Sequence, residues 1–290
     1  MVLARNTAPA WVFAAARTSS ECISEPWDGA GTIVSRRTPF GRQWVETHYR
    51  PPAQGGVHVT ANDHDPSIGL LGTLTLLTAV SGIVDAVSYL GLGHVFTANM
   101  TGNIVVLGFA LARAPGFSVA ASLTSIVSFL MGALAAGRLG LRMRARRRQL
   151  VSAMVIEGAL AGVAAIVSAH VSGRIGSGAA RFAVIALLAF AMGIRNSTIR
   201  RLAVPDVTTT VLTGTLTGLA ADSSLAGGHN PRFGRRASAV MAMLAGAIVG
   251  ALLFLHLGAT WPLAVVSVGV LVTATAFALS AASRELDDPL

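Results

Sequence analysis

Residues 68–92 read IGLLGTLTLLTAVSGIVDAVSYLGL, a run whose single charged residue is Asp85. A bilayer span needs about 20 predominantly apolar residues, and this run supplies them. Asp65-Pro66-Ser67 ahead of it is a helix-start signal, because proline suits a first turn. Five more runs of that kind follow: Phe117–Leu139, Leu150–Val171, Ile175–Ile199, Ala237–Leu257 and Ala259–Ser283. Two shorter ones, Val95–Leu111 and Val207–Ala221, are apolar but threaded with Asn and Thr. The reading is an all-α integral membrane protein with about six transmembrane helices and two short re-entrant or broken helical segments.

Composition agrees. Hydrophobic residues make up 53% of the 290 and charged residues only 12%, against about 25% charged in soluble domains. So few charges cannot cover a soluble surface. The net charge of +9 is carried by arginine alone. Its excess lies in the membrane region, where it reports orientation and implies no nucleic acid. Residues 1–66 hold six prolines and balanced charge with no sustained period, so a soluble, disordered N-terminal extension or a misplaced start is expected there. The membrane domain is taken as 67–283, and 284–290 as a short polar tail.

The chain resembles itself at a spacing of about 111 residues. Gly82-Ile83-Val84-Asp85 matches Gly193-Ile194-Arg195-Asn196, and Thr101-Gly102-Asn103 matches Thr213-Gly214-Thr215 with slight slippage. The order of long and short segments repeats as well, over about 67–171 and 175–283. Three arginine clusters, at Arg138–Arg148, Arg195–Arg201 and Arg232–Arg236, all face the cytoplasm only if neither short segment crosses fully. Both termini are then cytoplasmic. Each repeat makes three crossings, an odd number, so the expected architecture is a 3+3 inverted repeat of the kind found in secondary transporters.

Between Ser67 and Ser283 the only acidic residues are Asp85, Glu157, Asp206 and Asp222. A carboxylate inside a span is costly and usually faces a partner, a cavity or a relay. Asp85 has two readings: a proton site, or a permanent ion pair with Arg195 joining the halves. Glu157, beside the small-residue face of Gly158 and Gly162, either joins a proton path or reaches a cytoplasmic arginine by snorkelling. Asp206 and Asp222 read as caps or interfacial residues. Thr97, Asn99, Thr101, Gly102 and Asn103, with Asn196, Thr213 and Gly214 in the second half, are expected to line a solute or ion path. The alternative is interhelical packing and hydrogen bonding.

Gly82-Ile83-Val84-Asp85-Ala86-Val87-Ser88-Tyr89-Leu90, followed by Val95-Phe96-Thr97-Ala98-Asn99-Met100-Thr101-Gly102-Asn103, closely resembles the signature of the YoaK-like family of bacterial inner-membrane proteins. The resemblance covers about Ser67 to Ser283. It implies a compact protein of about six spans, of a kind often labelled a permease and sometimes linked to drug export, in the bacterial inner membrane. It brings no settled set of binding residues.

No Walker loop, nucleophile elbow or zinc-protease motif occurs, and no cofactor or metal is implied. The chain is therefore expected not to be an enzyme. The leading expectation is a small secondary transporter of an unidentified small molecule, coupled to protons through Asp85. The alternative is a non-transporting membrane protein that acts as an assembly or stress-response partner. Expected partners are the lipid bilayer, a small solute and protons, with a homodimer compatible with this size.

Overall fold

The computed structural model describes residues 34–38, 41–45, 68–143, 145–170, 178–202, 212–229 and 232–280. The chain forms two units, Met1–His64 and Asp65–Leu290. In the first, β1 (Val34–Thr38) and β2 (Gly41–Val45) form an antiparallel hairpin with Val34 opposite Val45. The composition of the extension did not announce this element.

The second unit is helical. Its elements are α1 (Ile68–Gly91), α2 (Met100–Leu111), α3 (Val119–Arg142), α4 (Arg146–His170), α5 (Ala179–Leu202), α6 (Leu212–Ala221), α7 (Phe233–Leu257) and α8 (Thr260–Leu279). Six of these are long and apolar enough to cross a membrane. At about 1.5 Å per residue, α2 and α6 reach only about 18 and 15 Å, short of a hydrocarbon core of about 30 Å.

Most boundaries shift from the sequence reading for local reasons. Helix α4 begins at Arg146, so the arginine-rich connection is largely helical. Helix α7 likewise extends back to Phe233, and α8 closes at Leu279. The expected Val95–Leu111 segment is helical only from Met100, where Asn99 caps the first turn by accepting from Gly102 N–H. Before it, Gly93 and His94 adopt positive φ and turn the chain back from α1. Of the Val207–Ala221 segment, 207–211 lie outside the described residues, as does Asp206.

Helices α1 and α5 are the most enclosed spans, each 61% buried, and α7 is the most peripheral at 17%. The main pairings are α1 with α7, α3 with α5, and α4 with α8; α2 packs on α3, and α6 on α7. Glycine permits close approach at two crossings. A Cβ on Gly82 would press into the backbone at Met243, and one on Gly246 into the backbone at Ala79. At the other crossing, a Cβ on Gly193 would meet the backbone at Phe129, and one on Gly132 the backbone at Phe190. In each case the carbonyl faced belongs to the residue three positions before the opposing glycine. Lipid tails are as apolar as leucine, so such close van der Waals contact is what holds membrane helices together.

Candidate functional site

Ser81, Asp85 and Ser88 are buried on α1, at i, i+4 and i+7, a spacing that places them on one helix face. They form a polar row alongside the hydrophobic core. Two clusters share it.

At one end Asp85, 5% exposed, holds the stretch between α1 and α2. Its Oδ1 accepts from Thr97 N–H at 3.0 Å and Ala98 N–H at 2.8 Å. Non-helical backbone at membrane depth needs protein partners for its polar groups, and this carboxylate supplies one. Asn103 supplies another from α2. Its Oδ1 accepts from Phe96 N–H at 2.8 Å, and its Nδ2 donates to Phe96 O at 2.5 Å and to Ser125 Oγ at 3.0 Å. Ser125, on α3, donates in turn to Phe96 O at 2.6 Å. The second oxygen of Asp85, Oδ2, is buried and has no hydrogen-bond partner among the described residues.

At the other end lies Arg195 of α5, 0% exposed. It donates from Nη1 to Glu157 Oε1 at 2.8 Å and to Leu77 O at 3.0 Å, and from Nη2 to Ser81 Oγ. Met192 Sδ lies 3.0 Å from Nη2. Glu157, on α4, is also 0% exposed, and its Oε2 has no hydrogen-bond partner among the described residues. Arg195 thus ties α1, α4 and α5 together.

This arrangement corrects two readings. Arg195 forms its ion pair with Glu157 and not with Asp85. Glu157 in turn does not reach out to a cytoplasmic arginine; its partner is Arg195 inside the neighbouring span, whose burial also removes it from the Arg195–Arg201 cluster expected to face the cytoplasm. The small-residue face beside Glu157 does admit a neighbour: α8 approaches Gly158 and Gly162 at Ser267, whose hydroxyl donates to Gly158 O at 2.7 Å.

The Asn and Thr residues expected to line one path do not converge. Thr97 and Asn103 are buried and engaged with protein groups, whereas Asn99 and Thr101 are exposed. Gly102 faces the ring of Phe96. In the second half Thr213 and Gly214 are exposed on α6, and Asn196 is half-buried on α5. The short helices sit on different spans. Asp222 pairs with Arg236 at 2.6 Å near the end of α6.

Sequence reasoning missed Ser81, Ser88, Ser125 and Met192. The first two were legible as an Asp85-centred row at helical spacing. Ser125 and Met192 carried no signal, because their roles depend on which helix comes alongside.

Fold and site together define a polytopic membrane protein with a buried charged centre. Residues 73–276 match the family described as protein of unknown function DUF1275, and the chain belongs to that family. It is 36% identical over 156 residues to the UPF0700 transmembrane protein YoaK of Bacillus subtilis (strain 168), a match covering 52% of this chain and 66% of the relative. No solved structure gives a significant match.

Proposed function

We propose that this chain is a small secondary transporter, coupled to protons through Asp85, in a bacterial inner membrane with both termini cytoplasmic. The observation that carries the reading is the charge count in the core. Asp85, Glu157 and Arg195 are all buried inside membrane-length helices. Fully ionised, they leave one negative charge uncompensated. An unpaired charge in an apolar interior is strongly disfavoured, and one proton removes it. Asp85 is the carboxylate without a cationic partner, so it is the one assigned the proton.

The matched helix crossings support a 3+3 inverted repeat. Gly82 and Gly193, spaced by about 111 residues, sit at equivalent crossings. Ser81 and Met192 share that spacing, and both touch Arg195. The charged centre then lies where the two halves meet, as in other transporters built from inverted repeats.

The test is flux in proteoliposomes under an imposed pH gradient, read with a lumenal pH dye against a panel of cationic dyes and small polar metabolites. Wild type is expected to move a solute together with protons, and Asp85→Asn to lose the gradient dependence. Equal gradient-driven flux by both proteins would sink the proton role.

A second reading, a non-transporting assembly or stress-response partner, is favoured by one observation. Thr97 and Asn103 of the signature hold a loop and leave little free to meet a solute. A stoichiometric co-purifying protein, with no flux of any solute, would select it.

A further inference from the structure

A cavity of about 330 Å³ opens at the arginine-rich end of the bundle, away from the α1 polar row. It is lined by Met143, Arg147, Arg148, Val151, Ser152 and Ala278. Its walls are of two kinds. Met143, Val151 and Ala278 are apolar, while Arg147, Arg148 and Ser152 bring hydrogen-bond donors.

The first turn of α4 carries Arg146, Arg147 and Arg148 and no acidic residue. The helix dipole disfavours cations there, and the same end favours a bound anion. Neither Arg147 nor Arg148 has a carboxylate partner among the described residues. Glu157 lies about 15 Å further along α4 and is committed to Arg195. Arg147 is half-buried and positioned by donating from Nη2 to Ala278 O at 2.5 Å. Its other N–H groups remain for a second partner. Arg148 is exposed. The cavity sits near the ends of three membrane-length helices, α3, α4 and α8, the depth at which lipid headgroups begin.

We propose that this cavity binds the phosphate of an anionic phospholipid. Arg147, Arg148 and Ser152 take the phosphodiester oxygens, and Met143 and Val151 pack against the glycerol and the start of an acyl chain. Guanidinium forks match phosphate oxygens geometrically, and basic pockets between transmembrane helices suit such headgroups. The apolar wall favours a lipid over a free anion, which has no hydrophobic part to cover it.

The experiment is native mass spectrometry of the full chain, released from micelles doped with equal phosphatidylglycerol and phosphatidylcholine. Wild type is expected to retain one phosphatidylglycerol in preference. Each arginine near an anionic headgroup is worth a factor of about five, so Arg148→Gln should lower the preference about fivefold and Arg147→Gln/Arg148→Gln roughly twenty-five-fold. Arg148→Gln changes an exposed side chain and leaves the Arg147–Ala278 bond in place, so its loss is not a folding defect. Equal retention of both lipids, or an undiminished preference in the double variant, overturns the proposal. Displacement of the lipid by inorganic phosphate alone would assign the site to a free anion and also overturn it. So would retention only after removal of residues 281–290, whose Glu285, Asp287 and Asp288 would then be the occupant.

Discussion

Two helix crossings of the membrane domain share a glycine scaffold but carry different polar groups. Helix α1 crosses α7 at Gly82 and Gly246, and helix α5 crosses α3 at Gly193 and Gly132. The crossings match residue for residue, yet the polar groups beside them do not. Helix α1 carries Asp85 and the serines, and Asp85 clamps the stretch before α2. Helix α5 carries Arg195, beside the neutral Asn196, 111 residues after Asp85. Packing at both crossings depends on backbone shape.

The largest expected break in this comparison is at the ion pair. Glu157→Gln removes the carboxylate paired directly with buried Arg195 and should cost about 3–5 kcal/mol. Thermal unfolding in detergent measures it. Glu157→Gln combined with Arg195→Met should recover most of that loss, because the unpaired charge goes with the arginine. A double variant no more stable than the single one would show that the pair does not act as a unit.

A smaller effect tests the scaffold itself. Gly82→Ala and Gly193→Ala each force a methyl into an opposing backbone and should destabilise by about 1–3 kcal/mol. The two losses should agree within the error of the unfolding midpoints. One tolerated and one severe substitution would break the equivalence of the crossings.

The smallest effect separates the two short helices. Asn99→Ala removes the cap of α2 and should cost about 1 kcal/mol. Thr213→Ala, exposed on α6, should stay within about 0.5 kcal/mol. Hydrogen exchange of the first-turn amides of α2 reads the cap directly, and unchanged protection there would remove Asn99 from that role.

Much of the fold was legible because the membrane leaves a one-dimensional record. Six apolar runs and two interrupted ones follow from length and hydropathy. Asp85 stood out because acidic residues are scarce between Ser67 and Ser283. Its principal partners, the Thr97 and Ala98 amides, were not visible, because a side chain capping a loop twelve and thirteen residues away leaves no periodic trace. The alternation of Thr97, Asn99, Thr101 and Asn103 suggested one coordinating set. The bend at Gly93 and His94 and the start of α2 at Met100 divide it into buried and exposed members.

The sequence by itself determined the membrane class, the number of long helices and the short list of charges able to carry chemistry. These depend on composition along the chain, which hydropathy reports without reference to neighbours. Only the tertiary structure decided that Arg195 meets Glu157 and not Asp85. Depth in a membrane follows from counting residues, but partnership also needs the azimuth of each side chain and the identity of the adjacent helix. Helices α4 and α5 come together through close packing, and a buried guanidinium settles where a carboxylate, the Leu77 carbonyl and the Ser81 hydroxyl satisfy its donors at once.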